Sequence, residues 1–471
     1  MHKFGGKFMK KRLLTAVLAG TMAASMTACS PSPSAPAAPA ETKAAEAETK
    51  AAAAETEAKP AAQAVDTGAE DEHTLSVYAW DKNFNIPALK AAEADYQKNV
   101  DKDFKLNIVE VSQSSDVENA VTLAGSAGKY DTLPDIVLFQ DHYIQKYVSD
   151  FPDAWQTFEG ADIDWSDFGA EKLSYSTIGG KHYGMPVDNG TVVFAYRTDL
   201  LEQAGYSIAD MKGISWDEWI EIGKKVYEKT GKYLLSMDGS GNDLPYMMMQ
   251  AEGASQFKDG QVNLTDNETF TKIIDVITRG VKEKVIYLAN DWSDYTDQTI
   301  VNDMVAGVMN GNWIIPTIKQ VSENSGKWEI TTMPTLEGKG KEGYASNGGS
   351  SLYITGNCKK LKLAQDFLGK TFGAGSSATY DAALKEGGVI TCSTKAGSSS
   401  VYQEGIAYFN NTPIYSQIVE MGTHVPVVEQ NDYHYPCREQ VATAIQKIIG
   451  GEDAAQCIKD AEEQVKFQMA G

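Results

Sequence analysis

From Leu75 the chain alternates in the manner of a strand, Leu75-Ser76-Val77-Tyr78-Ala79, and then changes period, with Ile86, Leu89, Ala92 and Tyr96 recurring at helical spacing. Phe104 to Val111 predicts a second strand, and Asp116 a cap for a helix running to about Ala127. Pro134-Asp135-Ile136-Val137-Leu138-Phe139 is then an almost unbroken apolar run, as a strand buried on both faces requires. Strand, helix, strand, helix and strand in quick succession predict a parallel sheet with right-handed crossovers. Open α/β sheets bind ligands beyond the carboxyl ends of their strands. Those ends are Trp80-Asp81-Lys82, Ser112-Gln113-Ser114 and Gln140-Asp141-His142. Further on, two capping boxes predict helices. Ser215-Trp216-Asp217-Glu218 precedes Trp219, Ile222 and Val226, and Thr265-Asp266-Asn267-Glu268 precedes Phe270, Ile273, Ile274 and Ile277.

The pattern fails before residue 74. Residues 1–28 hold five basic and no acidic residues, then an apolar stretch from Leu13 to Met26, then Met26-Thr27-Ala28-Cys29. This is the order of a secretory signal, and the stretch is shorter than the roughly 20 residues of a membrane-spanning helix. The last four residues resemble the bacterial lipobox, with Met26 where Leu is usual, so Cys29 is expected to carry the lipid. Translation from Met9 would leave the same signal. From Ser30 to about Glu72 the chain is almost wholly Ala, Glu, Lys, Thr and Pro, too poor in apolar bulk to offset the entropy of ordering. Residues 29–73 are therefore expected to be a tether.

The full chain carries a net charge of −22, and removing the leader makes it five units more negative. That balance excludes nucleic acid and an anionic membrane surface as partners held by charge. Cys358, Cys392, Cys437 and Cys457 include no CxxC pair, so no spacing supports a zinc or redox site. The roughly 400 residues that remain are enough for two domains. They show no internal repeat.

Tyr183-Gly184-Met185-Pro186, Val192 through Leu201 with Arg197 where Asn is usual, Ala204-Gly205-Tyr206 and Trp216-Asp217-Glu218-Trp219 together resemble the extracellular solute-binding proteins of carbohydrate ABC transporters. Three further blocks are similar to that family: Ala306 to Trp313, Met333-Pro334-Thr335 through Asn347-Gly348-Gly349 and Leu352-Tyr353-Ile354, and Ile445 to Val465. The resemblance covers 74–471 in order. It implies an α/β fold of two lobes, each an α/β sandwich, with ligand in the cleft between them and closure about hinge strands. Lobe 1 is expected at 74–187 plus 334–395, and lobe 2 at 188–333 plus 396–471. It also implies a binding protein without catalytic residues, cofactor or metal, a monomer that takes an oligosaccharide ligand to the subunits of an ABC permease and touches the membrane only through its lipid.

Sugars present flat C–H faces edged by hydroxyls, so a site needs rings to stack on and planar polar groups to bridge hydroxyls. With 8 Trp, 22 Tyr and 15 Phe, most rings must be core. Trp313 is the first candidate, because the tryptophan of the family's GxW block stacks on ligand. Trp80 at the end of the first strand, with Asp81 and Lys82, comes next, then Gln140 and Asp141 after the third. Asp188 and Asn189 lie at the first presumed crossing between lobes, and Trp292 ahead of the GxW block. Asn347 and Gly348, with Gly349, lie at the second crossing, where glycine allows close approach. Asn242, Asp243, Tyr246 and Tyr433-His434-Tyr435 are weaker candidates, the last equally a surface loop. A glycoside hydrolase would use the same residue types, a metal binder would use Tyr433-His434-Tyr435, and an acidic sugar would call on Arg197 and Lys82. A peptide is the remaining solute class.

Overall fold

The computed structural model describes residues 71–239, 243–373 and 376–470. The expected leader, Cys29, the tether as far as residue 70, and Asn242 lie outside the described residues.

The first five elements form in the expected order: β1 (Thr74–Ala79), α1 (Asn85–Asn99), β2 (Lys105–Glu110), α2 (Ser114–Ala127) and β3 (Ile136–Gln140). β1 pairs in parallel with both β2 and β3. The unbroken apolar run of β3 has a direct cause. Ile136 and Leu138 enter the core beneath one face of the sheet, with Leu75 and Val77, whereas Val137 and Phe139 enter the core on the other, with Tyr78. Each such side chain contributes about 1.5–3 kcal/mol by leaving water.

The sheet is not wholly parallel, in contrast to the expectation. Ser350–Ile354 adds to β3 antiparallel, and Gly184–Asp188 adds antiparallel to that strand. The reason is the route of the chain. Ser350 lies opposite Gln140, the last residue of β3, so a strand returning from the other lobe enters at the carboxyl edge and must run against its neighbour.

The second lobe is built on Val192–Arg197, flanked antiparallel by Gly307–Gly311 and Trp328–Thr331. A parallel pair, Leu235–Asp238 with Ile286–Ala289, lies beside it. Its largest core joins Phe194, Tyr196, Trp216, Trp219, Phe270 and Ile277 to Val441 and Ile445 of the long helix His434–Ile449. Met333 and Ala345 belong to this core as well, and Leu336 packs on it.

Ser215 accepts from the backbone N–H of Glu218, and the Glu218 carboxylate accepts from that of Ser215 at 2.7 Å, a complete capping box. The second helix, Glu268–Lys282, is capped by Asn267 and not by Thr265, since Asn267 accepts from Phe270 N–H at 3.1 Å. The Thr265 N–H is already committed to Glu462, which also takes that of Leu264. Among the described residues, no helix is long and apolar enough to cross a membrane.

Candidate functional site

Two chain crossings lie side by side between the lobes. Thr191 bridges Ser346, the Asn347 N–H donates to the Gly190 carbonyl at 2.8 Å, and the Val192 N–H donates to that of Ala345 at 2.8 Å. Gly190 has φ +60°, and a Cβ there would meet the Asn347 oxygen at 2.5 Å, so only glycine allows the two crossings to touch. A third connection pairs Thr391 with Asp188.

Beneath these crossings is a buried charged floor. α3 (Asp141–Asp150) starts at the end of β3, and α4 (Ala170–Ser176) packs beside it. The Lys172 ammonium, with no solvent exposure, donates to Asp141 at 2.6 Å and to the Ser350 carbonyl at 2.8 Å. Ser351 donates to the other Asp141 oxygen at 3.1 Å, Ser350 donates to Asp188, and Ser346 donates to Glu171 at 2.5 Å. Lys172 thus pairs directly with Asp141, and its charge acts through space on Asp188 and Glu171. Burial, with the charges of Asp188 and Glu171, pushes Asp141 up to about 7. Asp188 and Glu171 are raised by burial too. Lys172 is held charged against its burial by Asp141 and Asp188.

Above the floor, a cavity of about 670 Å³ opens between the lobes, within the range of small-molecule sites. The first lobe lines it with Trp80, Asp81, Ser114, Gln140 and Tyr143; the second, with Asp243, Trp313, Pro316, Tyr435 and Arg438. Asp188, Asn347, Gly348, Gly349 and Ser350 form its base at the crossings. The Trp313 indole N–H donates to the Asn347 carbonyl at 2.8 Å. A Cβ at Gly311 or Gly348 would stand 2.3 Å or 3.0 Å from that nitrogen. The glycines therefore make room for the indole, which is fixed against the crossing with part of its surface open. Arg438 is buried and paired with Asp243, and Asn347 donates to Asp243 at 3.0 Å and to Asn310 at 2.7 Å. Burial pushes Arg438 down to about 10, so it stays charged at neutral pH.

Of the candidates read from sequence, the cavity brings together Trp80, Asp81, Gln140, Asp188, Trp313, Asn347 and Gly348, with Gly349 and the weaker candidates Asp243 and Tyr435. Trp292 is 43% exposed and leans on Trp313, ring centroids 5.8 Å apart, at the end of a neighbouring groove that shares Asp243. Three candidates lie elsewhere. Lys82 is exposed outside the wall. Asp141 faces the floor, where the ion pair with Lys172 consumes it. Asn189 is buried in the crossing, donating to Thr191 at 3.3 Å. Arg197, considered for acidic sugars, is a structural residue held by Asp199 and Asp303. Tyr143, Ser350 and Arg438 were not anticipated. Tyr433-His434-Tyr435 is not a surface loop, since His434 and Tyr435 open a long helix and His434 is buried. Its signal was present in the helical spacing of Cys437, Val441, Ala444 and Ile448, read backward to the first turn.

A family model described as bacterial extracellular solute-binding protein matches residues 91–410. The lactose-binding protein of Rhizobium radiobacter is 32% identical over 397 residues, 84% of this chain and 93% of that one. Among solved structures, the sugar-binding protein MalE from Xanthomonas citri has a TM-score of 0.67 at 16% identity, covering 84% of this chain and 97% of its own. The ABC transporter associated binding protein from B. animalis subsp. lactis, solved with beta-1,6-galactobiose, has a TM-score of 0.64 at 20% identity, covering 84% and 98%.

Proposed function

Because this chain belongs to the bacterial extracellular solute-binding proteins, we propose that it captures a short, uncharged oligosaccharide between its lobes and delivers it to the permease of an ABC transporter. The observation that carries this reading is the interlobe cavity with a tryptophan from each lobe in its walls, Trp80 and Trp313. Rings on both sides offer stacking to a sugar's C–H faces, and Asp81, Gln140, Asp243 and Asn347 offer partners for its hydroxyls. An uncharged ligand follows from electrostatics: Arg438 is already neutralised by Asp243, while Asp81 and Asp188 would repel an acidic sugar. The volume suits two or three sugar rings, and the lactose-binding relative makes lactose the first to test.

The lobes divide at the two crossings. We take the second to be at Ser346–Gly349 in place of 334, a reading supported by the packing of Met333, Leu336 and Ala345 with the core around Trp216 and Trp219. The protein does no chemistry on the sugar and acts as a monomer. Cys29 carries the lipid that holds it to the outer face of the membrane, and the tether raises its effective concentration near the permease.

Calorimetry of the full chain against lactose, galactobiose, maltose and lactobionate tests the ligand class. Saturable binding of a neutral disaccharide with none of the acid is the expected result, and preference for lactobionate would sink the reading. Release of the Cys29→Ala chain from membranes tests the anchor.

A further inference from the structure

Two copies of one dipeptide face each other across the lobes. His142-Tyr143 is in the first turn of α3, and His434-Tyr435 opens the helix His434–Ile449 on the other lobe. The imidazoles of His142 and His434 stack with centroids 4.5 Å apart and planes 3° from parallel. The rings of Tyr143 and Tyr435 stack at 4.2 Å and 12°. We propose that these dipeptides form a clasp of positioning residues, which holds the lobes closed on ligand while both imidazoles are neutral and releases the closed form in acid. This deepens, and rests on, the sugar-binding reading above.

Neutrality is written in the hydrogen bonding. Arg438 Nη1 lies 3.2 Å from His434 Nε2. A guanidinium can only donate, so Nε2 must be the bare, accepting nitrogen and the ring proton must sit on Nδ1. Protonating Nε2 would replace that bond with two like charges in contact. The rest of the enclosure agrees, apart from a Gln430 hydrogen bond that favours the protonated form of His142 and is outweighed by burial. Tyr246, from the helix Asp243–Ala251, meets both imidazoles edge-on at 5.3 Å and 4.6 Å, and Tyr175, from α4, meets His142 at 4.9 Å. Arg438 and Lys172 are the cations that act on His142, both against its protonation. Each histidine also lies at the positive end of its helix, which disfavours a cation. Burial depresses both, His434 to about 3.

Opening the lobes separates the stacks and returns both rings to water, where an imidazole titrates near the ordinary 6.5. The open form then binds protons that the closed form cannot, so the closed form is fully favoured above about pH 6.5 and loses ground below it. At pH 5.0 each imidazole required to be neutral lowers the closed population by about 30-fold. Asp141 and Glu171, raised by burial, titrate with the opposite sign. Tyr143, Tyr435 and Arg438 also line the cavity, which joins the clasp to the ligand.

The experiment measures lactose affinity of the full chain at pH 7.5 and 5.0. The wild type is expected to bind at least about 30-fold more weakly at pH 5.0, the factor for one imidazole, and up to about 1000-fold for the two. His142→Phe with His434→Phe should stack at either pH and remove most of that difference, and His142→Phe alone, which keeps the acceptor of Arg438, should remove part of it. A wild-type ratio within two-fold, or an equal pH response in the double variant, would overturn the clasp. Absence of lactose binding at pH 7.5 overturns the choice of sugar alone. The clasp is then decided by the interlobe distance without sugar, from spin labels on the exposed Lys102→Cys and Lys272→Cys. A closed population that falls in acid in the wild type but not in the double variant supports it, and one indifferent to pH rejects it.

Discussion

Lys172 and the His142–His434 pair are both buried where the lobes meet, yet they follow opposite electrostatic rules. The floor keeps a full charge out of water by surrounding it with Asp141, the Ser350 carbonyl and the nearby acids. The clasp keeps charge out altogether, using neutral rings that stack face to face. A charged network costs several kcal/mol per ion if broken and exposed to an apolar interior, which suits a place that must survive opening. Stacked neutral rings are worth only about 0.5–1.5 kcal/mol beyond their burial, which suits a contact that must break on each cycle.

The largest effect is expected of Lys172→Met, which leaves Asp141, Asp188 and Glu171 facing one another without a cation. Stability should fall by about 3–5 kcal/mol, seen in urea denaturation; a loss near zero would show that the floor is not held by charge. Next is the pH dependence of unfolding. Asp141, raised by burial in the folded protein to about 7 even beside Lys172, takes up a proton at a higher pH than in the unfolded chain. Stability should therefore decline as pH rises from 5 to 7, at up to about 1.4 kcal/mol per pH unit for the one proton. Asp141→Asn should flatten that slope, opposite in sign to the clasp's effect on closure. Third, Trp313→Ala should weaken sugar binding at least ten-fold, about 1.4 kcal/mol, measured below the lowered melting temperature expected from losing an indole that packs on the core and donates to Asn347. Unchanged affinity by calorimetry would remove Trp313 from the site. The smallest effect belongs to Tyr435→Phe, which keeps the stack on Tyr143 and deletes only a 3.5 Å contact to Gln140. Affinity should shift by less than about two-fold, within a single weak hydrogen bond.

Local periodicity made the first half of the main sheet legible, because each face of β3 has its own core and the run therefore had to be apolar throughout. The antiparallel strand Ser350–Ile354 was not legible as such. Its direction depends on which end of the sheet the chain re-enters, a fact about the other lobe. The cavity residues at strand ends, Trp80 and Gln140, follow from a rule of position. Arg438 and Tyr435 do not, since a helix whose Tyr435 lies 295 residues beyond Gln140 reaches the cleft only through tertiary packing. Asp141 taught the reverse lesson: it has the right position, but a lysine 31 residues later claims its carboxylate.

The paired crossings have a mechanical consequence. Backbone hydrogen bonds tie Gly190 to Asn347 and Val192 to Ala345, and the third connection is laced to Asp188 through Thr391. Ribbons joined in this way resist sliding past one another, so rotation about the crossings is left as the easiest motion of the lobes. Sugars that differ in the details of their contacts would then drive the same rotation to the same stop, and the outer surface would carry a single bit, occupied or empty, with the identity of the cargo kept inside.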